Sequence, residues 1–163
     1  MATKNKTNVL YMAKKKVLLV SILKKDREVF YKFMCWHSLI EKSDTNKSLN
    51  KKYPPTFTSD ITSIFGKSEL VTFKSHAELL RHKQPNTSTH FFYVSDKSRC
   101  IDLLRHIRNS IAHDLISYDK KKKVFNIVDY NMYEKLTAEG VIEAEKMYNL
   151  LKIVLKASDL RNK

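Results

Sequence analysis

The stretch from Asp102 to Asp114, read as DLLRHIRNSIAHD, holds no glycine or proline and has the apolar spacing of a helix. Projected at about 100° per residue, Leu104, Ile107, Ile111 and Leu115 fall on one side, with Ile101 and Ala112 at its margin. That side is a core-facing stripe. Asp102, Arg105, His106, Asn109 and His113 fall together on a neighbouring side. They form a polar, mostly cationic stripe about three turns long. Arg108 sits at the edge of the apolar face, beside Ala112. Asn109 and His113 are four residues apart, so they can share one phosphate or bond each other. Arg108 and His113 point about 140° apart, so only the long arginine could reach round to a shared ligand.

The rest of the chain is short of turn formers. Two Gly and three Pro in 163 residues argue against an all-β protein rich in tight turns. The composition favours helices joined by a few polar loops, in one domain spanning 1–163, with 42% hydrophobic residues to supply its core. A net charge of +14, from 31 Lys+Arg against 17 Asp+Glu, points to a polyanionic partner, with nucleic acid first. A lysine-rich solubilising surface is the plainer alternative. Cys35 and Cys100 are isolated, without Cys-x-x-Cys spacing, so no cysteine zinc site is expected. The apolar run Val17–Leu23 is far short of a membrane span, and no cleavage pattern follows it. These features read as a cytoplasmic protein without a membrane segment.

Along the chain, residues 1–8 are polar and read as flexible. Helical spacing runs from about Val9 to Glu41, with Lys14–Lys16 and Lys24–Lys25 flanking the apolar run and His37 as a structural or surface residue. Ser43 to Thr58 reads as a loop, and Thr58 to Gly66 as a short helix. Leu70–Phe73 is ambiguous between strand and helix. Ser75-His-Ala-Glu78 has capping-box spacing and starts a helix that stops before Pro85. His90–Val94 is a short aromatic segment, read as core rather than as a base-stacking surface. Ser95 or Asp96 is expected to cap the central helix. Leu115–Tyr118 and Val124–Val128 read as a hairpin with the basic tip Lys120, Lys121, Lys122 and Lys123. That tip could track a phosphate backbone or keep the turn soluble. From Thr137 to Asp159 the spacing predicts the last long helix.

At Arg108-Asn-Ser-Ile-Ala-His113 the chain resembles the HEPN superfamily, whose motif is an arginine, a polar residue directly after it, and a histidine a few positions on. The resemblance implies an all-α fold, an antiparallel bundle of four to five helices, here with a short β-hairpin after the motif helix. It implies a metal-independent endoribonuclease needing no cofactor. Such enzymes act as homodimers, with motifs from both copies facing one composite site. On this resemblance Arg108, Asn109 and His113 are the catalytic set, and the expected products are a 2′,3′-cyclic phosphate and a 5′-hydroxyl. Arg105, His106 and the four tip lysines are candidate RNA contacts outside the motif. The family further implies a place in toxin–antitoxin or anti-phage defence, with an antitoxin partner of nucleotidyltransferase type. The alternative is a non-catalytic helical module that binds RNA or protein.

Overall fold

Thr137 to Glu143, expected as the head of the last helix, belong instead to a strand, Leu136–Glu143, and that strand is the centre of a sheet. The computed structural model describes residues 27–35, 55–82, 88–96 and 98–159. In chain order these give α1 (27–35), α2 (Phe57–Ile64), β1 (Leu70–Phe73), α3 (His76–Arg81) and β2 (His90–Val94). Then follow α4 (Arg99–Ala112), β3 (Ile116–Asp119), β4 (Val124–Tyr130), β5 (Leu136–Glu143) and α5 (Ala144–Asp159). The strands form one mixed sheet in the order β1-β2-β5-β4-β3. β1 and β2 run parallel, and every other pairing is antiparallel. The all-α helical bundle is therefore corrected to an α/β fold with helices packed on a five-stranded sheet.

The reason lies in long-range pairing. Leu, Ala and Glu in Leu136–Glu143 are good helix formers, so local preference favours a helix. The same residues also alternate, with Ala138, Gly140 and Ile142 buried and their neighbours less so. Strand pairing on both sides, to β2 and to β4, decides the outcome. Gly140 makes this possible. A Cβ there would lie 2.2 Å from the His90 carbonyl oxygen and 2.7 Å from the Phe91 Cα. Any side chain at 140 would push β2 away.

The shortage of glycine is met elsewhere in an unexpected way. Asp114, Lys123 and Glu134 hold left-handed backbone at φ 59°, 54° and 57°, and neither glycine does. Each such position costs on the order of 1 kcal/mol for a residue with a Cβ. The three turns around β3, β4 and β5 are thus built without glycine.

One face of the sheet meets α1, α2, α4 and α5 across a continuous core. Phe91 and Tyr93 of β2, Phe125 and Ile127 of β4, and Ile142 of β5 supply its sheet side, all of them fully buried. Met147, Leu150, Leu151 and Val154 of α5 meet them, as the expected apolar face of the last helix. Each such side chain contributes about 1.5–3 kcal/mol on burial. On the other face of β2, Phe92 packs against His82 with ring centroids 4.4 Å apart, beside buried Leu79 of α3. The His90–Val94 segment is thus core on both sides.

Other expectations meet a mixed outcome. Ser75 caps α3, accepting from the Glu78 N–H at 3.3 Å, as its spacing predicts. The hairpin of β3 and β4 forms, with Ile116 opposite Ile127. Of the long first helix, only 27–35 is described, with Phe30 and Phe33 buried. Val17–Leu23, the flanking lysines, His37 and residues 1–8 lie outside the described residues. Among the described residues, no helix is long and apolar enough to cross a membrane.

Candidate active site

α4 carries the motif; its apolar stripe is buried, and its polar stripe is buried at Asp102 and His106 and opens to solvent at His113. Leu103, Leu104 and Ile107 are fully buried in the core. Within the polar stripe, Asp102 is 1% exposed and His106 is 4% exposed. It faces the ends of β2 and β4.

The entry to α4 is tied to Asp102. The expected caps, Ser95 and Asp96, lie before the helix, whose N-cap is Ser98. Instead, the Ser95 hydroxyl donates to Asp102 Oδ2 at 2.8 Å, and the Asp96 N–H donates to the same oxygen at 3.2 Å. Arg105 pairs with Asp102 Oδ1 at 2.9 Å and reaches Asp96 at 3.6 Å. Arg105 is thereby committed to two carboxylates. Tyr93 stands nearby, its hydroxyl donating to the Arg99 carbonyl at 2.8 Å, and burial pushes that hydroxyl well above the usual phenol range. Burial likewise raises the Cys100 thiol.

One turn on, His106 is locked between strands. Its Nε2 lies 2.9 Å from the Val94 carbonyl oxygen, which can only accept, so Nε2 donates. Its Nδ1 lies 2.7 Å from Asp129 Oδ2, and a proton sits between them. Asp129 comes from β4 and is 2% exposed. The same Oδ2 accepts from Asn109 Nδ2 and from the Thr137 hydroxyl, each at 3.4 Å. Asp129 Oδ1 has no hydrogen-bond partner among the described residues. His106, named from the sequence as a candidate RNA contact, is thus turned inward with both ring nitrogens engaged.

The motif residues follow along the last turns. Arg108 and Asn109 are half-buried, and Arg108 Nη1 donates to Asn109 Oδ1 at 3.0 Å. Asn109 therefore spends its side chain on Asp129 and Arg108 rather than on His113. The Ser110 hydroxyl lies between the His106 carbonyl at 2.7 Å and the Val128 carbonyl at 2.8 Å, so its one proton is shared between helix and β4. The helix closes with paired backbone bonds, Leu115 N–H to the Ser110 carbonyl at 2.7 Å and Asp114 N–H to Ile111 at 3.2 Å. This is a Schellman end with Asp114 in the left-handed position that glycine usually takes. His113 is the C-cap, exposed, with its backbone N–H on the Asn109 carbonyl at 2.9 Å. A helix C-terminus favours positive charge, which suits an imidazole there.

The lysine tip lies apart from this centre. Lys120 to Lys123 form an exposed turn, held by Asp119 Oδ1 on the Lys121 and Lys122 N–H groups at 2.9 and 3.1 Å. Five residues of β4, 124 to 128, separate Lys123 from Asp129, so the tip is about 20 Å along the strand from Asp129. Asp129 and Thr137 had no local signal in the sequence. Neither lies within a motif, and only the register of β4 against β5 brings them to α4.

The chain matches the family model described as HEPN pEK499 p136 over residues 5–161. No curated protein and no solved structure matches it.

Proposed function

The chain belongs to the HEPN family, and on that premise we propose that it is a metal-independent endoribonuclease whose site is composed by two copies of the chain. The observation that carries the proposal is the run Arg108-Asn109…His113 at the closing turns of α4. It offers a held guanidinium and, one turn later, an exposed imidazole.

These groups suit cleavage by the neighbouring 2′-hydroxyl. The 2′-oxygen attacks phosphorus, and its proton passes to one His113, since imidazoles exchange protons near neutral pH. Arg108 forks onto the non-bridging oxygens as charge builds on the phosphorane, and it stays charged throughout. The P–O5′ bond breaks, and the leaving 5′-oxygen takes a proton from the second copy's motif histidine. The products are a 2′,3′-cyclic phosphate and a 5′-hydroxyl. Single motifs lack the second acid, which is why the proposal includes a homodimer. The +14 charge supports an RNA substrate, with the Lys120–Lys123 turn as an outer contact along a longer strand, while Arg105 stays with its two carboxylates. A toxin or anti-phage role, with a nucleotidyltransferase-like partner that silences the site, belongs to the same proposal.

The test is incubation of purified protein with mixed-sequence RNA in EDTA, beside His113→Ala. Wild type is expected to cut and leave cyclic-phosphate ends, while the variant loses about 100-fold or more in rate, as expected for removal of an acid–base group. Equal cutting by a folded His113→Ala protein sinks the mechanism. Binding of intact RNA by both proteins, lost at high salt, favours the non-catalytic module instead.

A further inference from the structure

We infer that Asp129 is a positioning residue for Arg108, acting through Asn109, and that His106 and Thr137 exist in this fold to hold Asp129 in place. The inference rests on the ribonuclease reading for its catalytic consequence, but its geometry stands independently.

An amide has one donating and one accepting end, and the two are not interchangeable in a mixed environment. Asn109 Nδ2 faces Asp129 Oδ2 at 3.4 Å, and Asn109 Oδ1 accepts from Arg108 Nη1 at 3.0 Å. Turned over, the amide would set oxygen against the oxygen of Asp129 and N–H against the N–H of Arg108. Asp129 therefore chooses the rotamer in which Asn109 offers its oxygen to the guanidinium.

Asp129 must itself be fixed for this to work. It sits on β4 with its side chain 2% exposed. His106 grips its Oδ2 at 2.7 Å while anchored by Nε2 to the Val94 carbonyl at 2.9 Å. Thr137 of β5 reaches the same oxygen at 3.4 Å and the Asp129 carbonyl at 3.2 Å. A continuous chain thus runs from the backbone of β2 through His106, Asp129 and Asn109 to Arg108. Arg108 has a long, rotamer-rich side chain, and holding one of its nitrogens removes freedom that would otherwise be lost on binding phosphate. The nearby Asp102 cannot substitute, since both of its oxygens are already taken by Arg105, Ser95 and the Asp96 N–H.

The chain also explains a buried histidine that the cleavage step does not use. With Nε2 on a carbonyl and Nδ1 on a carboxylate, His106 spans β2 and β4 across β5. It ties the sheet to the helix turn that carries the motif.

The experiment compares wild type with Asp129→Leu, and with Asp129→Ala as a second variant should leucine overfill the site. Leucine leaves no acceptor for Asn109, yet a neutral His106 keeps its bond to Val94. Two readouts are taken on folded protein. The first is hydrogen exchange of the assigned Asn109 side-chain amide, with exposed Asn126 and Asn149 as references. The second is kcat and KM on a fluorogenic RNA. The expected result is a slow Asn109 amide in wild type that exchanges like Asn126 in the variants. With it, kcat falls by about ten-fold or more while KM changes little, as misaimed catalytic groups produce. An Asn109 amide in wild type as fast as Asn126 overturns the inference. So does a folded variant with unchanged kcat. If wild type cuts no RNA, the ribonuclease reading fails, and the amide exchange still decides whether Asp129 positions the motif. If neither variant folds, the wild-type exchange alone decides it.

Discussion

Asp102 takes donors on both of its carboxylate oxygens, whereas Asp129 takes all of its donors on one. Both acids are buried against α4, at 1% and 2% exposure. Their partners differ in origin. The hydrogen-bond and ion-pair partners of Asp102 named above lie between Ser95 and Arg105, so these bonds fasten one helix to the loop just before it. Those of Asp129 come from α4 and β5, so its bonds form only when helix and sheet have met. The first acid is a local clip, and the second reads out the assembled fold at the motif.

The largest effect that sharpens this contrast is expected from Asp102→Ala. It removes the acceptor of Arg105, Ser95 and the Asp96 N–H, and should cost about 2 kcal/mol, in the range for hydrogen bonds to a charged group, measured by urea unfolding. RNA cleavage per folded molecule should stay near wild type. Loss of cleavage in a folded Asp102→Ala protein would erase the distinction between the two acids. A smaller effect is expected from Ser95→Ala, which removes one donor from Asp102 and should cost about 1 kcal/mol in the same assay. Unfolding unchanged by Ser95→Ala would mean that Arg105 and the Asp96 N–H hold the clip without the Ser95 hydroxyl.

The smallest effect concerns a third aspartate, the half-buried Asp119. The backbone N–H of Lys122, and then that of Lys121, hold its carboxyl below the usual carboxylate range. Its folded value is depressed, so its contribution is present above the ordinary aspartate range and lost as pH falls through the folded value. A pH titration of the hairpin by NMR should show Asp119 titrating below a free aspartate. Asp119→Asn should remove that acid-side change. A midpoint at the free value would deny the turn its anchor.

Legibility in the sequence follows the range of the interactions. α4 and the hairpin of β3 and β4 were readable because spacing of three to four, or of two, is a local signal. The motif Arg108-Asn109…His113 was readable for the same reason. β5 was not, because Leu136, Ala138 and Glu139 suit a helix and only β2 and β4 make them a strand. The scarcity of glycine misled for a related reason. It counts residues that turn easily, but Asp114, Lys123 and Glu134 turn where the fold requires it. His106 shows the limit of a helical projection. The wheel puts it on a polar stripe, and cannot tell whether water or Asp129 lies opposite.

The place of β5 has a consequence for how the protein is made. Among the described strands it is the last to leave the ribosome and the middle one of the sheet. Until residue 143 has emerged, β1 with β2 and β4 with β3 are two half-sheets with open edges. Asp129 and the Val94 carbonyl, which His106 must span, lie on opposite sides of that gap. A nascent chain therefore carries the whole Arg108–His113 motif before it can assemble the support beneath it, so translation itself delays the site until its central strand has arrived.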